Sequence, residues 1–240
     1  MGLKLFRIQL ADHRSGSMIE DAGGVCLVTA ADSPQKATLK NADGSSLSNP
    51  ISLTNGQIEF WTDDTVSNVD LYIQGPNGHF VTEKGVKASG PNEIFIDQGQ
   101  RLGAMVIPFS YDDQAGDATE TDTGFDEPSN AIMLPTPAIR VTAADSGETI
   151  DVGTDSTDSG DADGFLDGVS VASEAVVKGT IANGGVTIGT LFTVQDSANA
   201  GDLTHEGHVS GGKSITYTLS AGADTGEGFI VLPYMLAGDF

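Results

Sequence analysis

Short apolar runs follow one another along this chain, and clusters of turn residues separate them. Gln57-Ile58-Glu59-Phe60-Trp61-Thr62 alternates polar and apolar positions, the period of a strand buried on one face. Asp70-Leu71-Tyr72-Ile73-Gln74 clusters β-branched and aromatic residues that suit a pleated surface. The pattern predicts strands over 3–10, 25–30, 37–41, 51–53, 57–62, 69–74, 80–83, 93–97 and 102–111. Later strands are predicted over 138–142, 149–152, 168–172, 175–181, 186–194, 214–219 and 228–236. Asp43-Gly44, Asn55-Gly56, Asn77-Gly78 and Gly90-Pro91 supply turns, because Gly, Asn and Asp tolerate left-handed backbone. A sustained 3.6-residue period with caps is missing. The best short helix candidate, Ser197–Leu203, contains Gly201. The expected fold is all-β: two small β-sandwich or barrel domains joined by an acidic linker.

That linker is the sharpest break in composition. Residues 112–130 (DDQAGDATETDTGFDEPSN) hold seven acids, no base and one large apolar residue, Phe125. Such a stretch buries too little surface to order itself alone. It reads as a linker, or as an extended arm ordered by a partner. The expected domains are therefore 1–111 and 131–240. Two pieces near the domain ends look alike: Met105-Val106-Ile107-Pro108-Phe109 and Ile230-Val231-Leu232-Pro233-Tyr234. Each is an apolar strand interrupted by Pro, which favours an edge or a bulge. Two domains of similar plan would explain the match.

Composition narrows the function. The chain has 240 residues, 31 of them Gly, with 34 acids against 11 bases and a net charge of −23. Residues 1–101 hold 12 acids and 8 bases; residues 102–240 hold 22 acids and 3 bases. Phosphate backbones need clustered Lys and Arg, so nucleic acid is not an expected partner. An anionic membrane surface is disfavoured for the same reason, and no apolar run approaches the roughly 20 residues that span a bilayer. Cys26 is the single cysteine, in an apolar strand, so no intrachain disulfide is expected. Met1–Leu10 is too short and too charged for a secretory signal, and synthesis and folding in a cytoplasm are expected.

The stretch 42–81 carries a resemblance. It runs Asn49-Pro50, Leu53, Gly56, the aromatic strand through Phe60 and Trp61, then Tyr72 ahead of the Pro76-Asn77-Gly78 hairpin. This order resembles a small β module that recurs in bacteriophage tail fibres, spikes and capsid-surface proteins. In the second half, Ile150–Thr154, Asp161–Gly168, Ile215–Gly222 and Gly228–Tyr234 are similar to segments of structural proteins in marine phage genomes. The resemblance implies a non-enzymatic virion component. Its expected role is capsid decoration (cement): a homotrimer bound to the major capsid protein on the outer surface of the head. Candidate contacts are Lys4, Arg7 and Arg14 at the basic N-terminal edge, with Phe60 and Trp61 on the aromatic strand. The alternative is a tail-fibre, baseplate or head-fibre adhesin that binds a host glycan.

Four constellations bear on chemistry. Gly207–Ser214 (GHVSGGKS) matches the phosphate-binding pattern G-x-x-x-x-G-K-[ST]. That loop works between a strand and a helix, whereas Ser214–Leu219 alternates as a strand, so a glycine-rich hairpin loop is expected instead. His205-Glu206-Gly207-His208 lacks the helical spacing of a zinc motif. Asp155–Asp167 groups Asp oxygens around a Gly turn, as calcium would want. With Asp161, Asp163 and Gly164 at positions three, five and six of an EF-hand loop, Ser159 and Ser170 fall at one and twelve, and the bidentate Glu is missing. No metal or cofactor is therefore expected. Glu59 is the one acid in an aromatic setting, and alternation makes it the outward residue between Ile58 and Phe60. A G-x-S-x-G elbow does not occur, and Ser15-Gly16-Ser17 beside His13 reads as polar loop, so no catalytic residue is expected.

Overall fold

A computed structural model describes residues 2–12, 24–75, 78–88, 91–96, 102–116, 118–179, 181–182, 185–186, 188–195, 203–205 and 207–236. Strands dominate them, with 3-10 turns at Tyr111–Asp113, Ser156–Asp158 and Thr190–Phe192. The fold is all-β. The chain divides into two compact units, Met1–Gln100 and Arg101–Phe240. The helix candidate Ser197–Leu203 lies outside the described residues except Leu203, which opens a strand.

The first unit contains β1 (Leu3–Asp12), β2 (Val25–Ala30), β3 (Leu39–Lys40), β4 (Ser46–Leu47), β5 (Ile51–Ser52), β6 (Gln57–Asp63), β7 (Asn68–Gln74), β8 (Phe80–Lys87) and β9 (Pro91–Ile96). One sheet runs β4-β3-β6-β1-β9 and the other β5-β2-β7-β8. Pairing is antiparallel except between β1 and β9. Inward residues of both sheets share one core: Phe6, Ile8 and Leu10 of β1, Ile58 and Phe60 of β6, Cys26 and Val28 of β2, and Val69, Leu71 and Ile73 of β7. Phe6 and Phe60 are direct cross-strand partners whose rings stack at 5.0 Å. Burial drives the Cys26 thiol far above its ordinary pKa, so it behaves as a small apolar side chain. The Asn55-Gly56 turn puts both residues at positive φ (50° and 66°), and Thr54 and Gln57 exchange backbone hydrogen bonds across it. Asn49 acts as a stand-in for a strand: its carboxamide accepts from the Val28 N–H and donates to the Val28 and Ala37 carbonyls.

The second unit contains β10 (Leu102–Ser110), β11 (Thr121–Asp126), β12 (Ala131–Met133), β13 (Ala138–Ala143), β14 (Thr149–Thr154), β15 (Leu166–Ser170), β16 (Val176–Lys178), β17 (Ile181–Ala182), β18 (Gly185–Val186), β19 (Thr193–Gln195), β20 (Leu203–His205), β21 (His208–Val209), β22 (Ser214–Leu219) and β23 (Glu227–Leu236). β23 is the spine of a six-stranded sheet: β10 lines one side along its whole length, and β13 and β12 share the other. β16 and β21 extend that sheet outward. A four-stranded sheet runs β11-β22-β14-β15. Phe109 of β10 meets Tyr217 of β22, ring centroids 6.0 Å apart, and the Tyr217 hydroxyl donates to the Ser110 carbonyl at 2.9 Å. The look-alike pieces Met105–Phe109 and Ile230–Tyr234 belong to one sheet. They are antiparallel neighbours, with Met105 opposite Leu232 and Ile107 opposite Ile230.

Two boundaries move. The predicted strand over 102–111 belongs to the second unit, so the division falls at Gln100 and Arg101. The proposed linker 112–130 is mostly built into the second unit. Its strand β11 buries Thr121, Thr123 and Phe125 and exposes Asp122 and Asp126. Thr123 fills an inward position without penalty, because its hydroxyl donates to the Ile215 carbonyl at 2.7 Å. The Gln114 carboxamide accepts from the Leu219 N–H at 2.8 Å.

These placements make paired predictions. Phe60→Ala should cost about 3–5 kcal/mol, the usual price of an emptied aromatic core site. Phe125→Ala should cost a similar amount, whereas a linker phenylalanine would cost almost nothing. Equilibrium urea denaturation measures both, and an unchanged Phe125→Ala curve would restore the linker.

Candidate functional site

The expected contact residues separate by strand parity. On the outward face of the first sheet, Leu5 lies directly opposite Trp61, and Trp61 opposite Lys40. Arg7 lies opposite Glu59 and pairs with it at 2.7 Å. Lys40 pairs with Asp63 on the other flank. Leu5 is exposed and Trp61 half-buried, so an apolar row sits between two ion pairs. Lys4 and Phe60 belong to the opposite parity. Phe60 is fully buried, which removes it from any contact surface, and Lys4 faces Thr62 at the start of the strand. Arg14 lies outside the described residues. Sequence reasoning named Arg7 and Trp61 but missed Leu5 and Lys40, which only the register brings beside them.

A second locus gathers constellations that lie far apart in sequence. A cleft of about 130 Å³ is lined by Glu127, Thr154, Asp161, His208, Gly211 and Lys213, among others. Glu127 is buried in its wall. One carboxylate oxygen lies 2.8 Å from His208 Nε2; the other accepts from the Gly211 N–H at 2.8 Å and the Lys213 N–H at 3.3 Å. The Glu127 N–H donates back to the Lys213 carbonyl. Gly212 supplies the positive φ (68°) that aims these amides inward. The glycine-rich loop therefore does form an anion nest, and the anion in it is the chain's own carboxylate. The Lys213 ammonium donates to the Ser159 carbonyl, and β22 follows the loop directly. The side chain of His205 lies outside the described residues.

The acidic loop is fastened by its own contacts. Asp155 accepts from the Thr157 N–H and hydroxyl, which holds its carboxyl below the usual range. Asp151 accepts from the Gly168 N–H at 2.7 Å, and burial raises its pKa. Asp161 and Asp163 share a proton. That hydrogen bond, with burial and neighbouring carboxylates, pushes Asp163 up to about 6, while the same bond holds Asp161 low. The backbone comes very close here: a Cβ on Gly153 would stand 1.9 Å from the Asp161 carbonyl oxygen, and one on Gly189 2.1 Å from that of Asp163. Among the described residues no group of three or more His, Cys, Asp or Glu is arranged to hold a metal ion.

The first unit has a further polar cluster that sequence reasoning missed. Asp70, buried on β7, accepts from the Asp32 and Gly85 N–H groups and from the Lys84 ammonium. Lys84 also donates to the Tyr72 hydroxyl and lies 4.9 Å from its ring centre. Burial raises the Tyr72 pKa against the lowering pull of Lys84. Gly85 sits at φ 65° where the β7–β8 register shifts, so Asp70 fastens a bulge.

Two measurements check this description. Glu127→Ala should cost about 1–3 kcal/mol by removing the carboxylate that the Gly211 and Lys213 amides donate to, and should speed hydrogen exchange at Gly211 and Lys213; unchanged exchange would refute the nest. In the fold Asp163 keeps its proton up to about pH 6, whereas the unfolded chain releases it near pH 4. Stability should therefore fall as pH rises through that window, with Asp161 titrating beneath it, and Asp163→Asn should remove the slope. A carboxyl NMR midpoint near 4 for Asp163 would contradict the shared proton. Comparisons with protein-family models, with curated proteins and with solved structures find no match.

Proposed function

We propose that this chain is a non-enzymatic structural protein of a bacteriophage virion: a capsid decoration protein that binds the major capsid protein on the outer surface of the head as a homotrimer. The observation that carries this reading is the outward Leu5–Trp61 row, framed by the Arg7–Glu59 and Lys40–Asp63 pairs. An aromatic side chain beside an aliphatic one, ringed by charge, has the composition of a binding hot spot with a polar rim. The units divide the labour electrically. The first holds most of the bases and docks, while the strong acidity of the second discourages aggregation. The buried carboxylates support a structural role. Asp70 and Glu127 hold loops, as does Asp145, which accepts from the Asp224 and Thr225 N–H groups. Each accepts from two backbone amides.

The test uses point substitutions. Removing Met1–Arg14 would delete β1, whose Phe6, Ile8 and Leu10 build the core. Leu5→Ser with Trp61→Ser changes outward positions only. Particles assembled with the doubly substituted protein should bind it about tenfold more weakly, and attachment should be partly salt-sensitive. Unchanged occupancy on purified heads would refute the docking face. Labelling confined to the tail would replace decoration with the adhesin role.

A further inference from the structure

We propose that a second copy of this chain packs against the outward face of the six-stranded sheet in the second unit. Four strands contribute one in-register row to this face. Leu102 lies opposite Met235, Met235 opposite Ile132, and Ile132 opposite Val209. Direct antiparallel partners share a face, and the alternate residues of β23 (Gly228, Ile230, Leu232 and Tyr234) are buried on the other side. Leu102 is 58 % exposed, Met235 37 % and Val209 72 %. On the same face, toward the other end of the sheet, Val176 is 64 % exposed opposite Arg140. A stretch of four strand widths by the length of β23 offers on the order of 600 Å² per copy. A pair would bury about 1,200 Å², the boundary between weak associations and standard-size interfaces.

Charge selects the occupant. Residues 102–240 hold 22 acids and 3 bases, and two of those bases, Arg140 and Lys178, lie on this face. The nearby carboxylates are Glu227 at the start of β23 and Glu174 beside Val176. The face is thus close to neutral on a unit that is otherwise strongly acidic. Copies of a chain at −23 repel wherever their acidic surfaces meet. Here that repulsion is reduced, and four of the five exposed large hydrophobics among the described residues lie on this face. A basic partner would choose the acidic surfaces instead. This contact does not depend on docking to a shell, since the Leu5–Trp61 face can fail while copies still associate.

Sedimentation velocity of the full chain tests it, over protein concentrations up to about 0.1 mM and salt from about 0.05 to 0.5 M. The chain should associate reversibly, and more tightly at high salt, because screening relieves repulsion between copies. Leu102→Glu with Val209→Glu should weaken association about tenfold or more, and Leu102→Ser with Val209→Ser should act in the same direction without adding charge. Circular dichroism should be unchanged in both pairs. A monomer across the whole range would overturn the proposal. So would association that ignores both pairs of substitutions or that weakens with salt, as would a monomeric chain whose face is needed only to bind capsid shells.

Discussion

A chain with 34 acids and 11 bases leaves most of its carboxylates without a side-chain cation. At the buried ones the backbone supplies donors. Buried carboxylates need strong donors, and turn amides are the donors that a loop-rich fold has in surplus. Asp70, Glu127 and Asp145 each collect two backbone N–H groups. Where a cation helps, as Lys84 does at Asp70, it joins amides already in place. The acidity that keeps the surface soluble also supplies the pins that hold the loops.

This use of carboxylates explains why motifs that suggest ligand chemistry are occupied by the chain itself. The glycine-rich loop aims amides at an anion, and Glu127 arrives from more than eighty residues away to fill the place. In the Asp155–Asp167 loop, Asp155 accepts from a hydroxyl and an amide, and a hydrogen bond joins Asp161 to Asp163. In each case the residue types fit a binding site, and the geometry turns them to folding.

Much of the fold was legible because it is local. Asn55-Gly56 demanded positive φ at two positions and marked a hairpin. The alternation through Ile58, Glu59 and Phe60 separated core from surface. What escaped was long-range or disguised. β11 places Thr123 where a hydrophobic scan wants an aliphatic residue, and its hydroxyl is tolerated only because Ile215, distant in sequence, accepts from it. Composition alone therefore reads 112–130 as a tether. Of the contact surface, Trp61 and Arg7 were visible as residue types, but their company with Leu5 and Lys40 depends on strand register. The burial of Phe60 follows from the same parity that exposes Trp61. Glu127 gave no local signal, since its partners lie beyond any sequence window.

The position of β23 bears on how the protein is made. This strand joins β10, β13 and β12 into one sheet and is the last strand of its unit among the described residues. Every strand of the first unit has been translated by Ile96, so that unit can fold while the rest of the chain is still emerging. The six-stranded sheet has to wait. Until Glu227–Leu236 leaves the ribosome, β10 has no central partner, and the apolar sides of β10, β12 and β13 stay unpaired. During that interval the nascent segment already carries most of its acids, and like charge opposes contact between copies. The charge of the second unit thus protects the chain before there is a fold to protect.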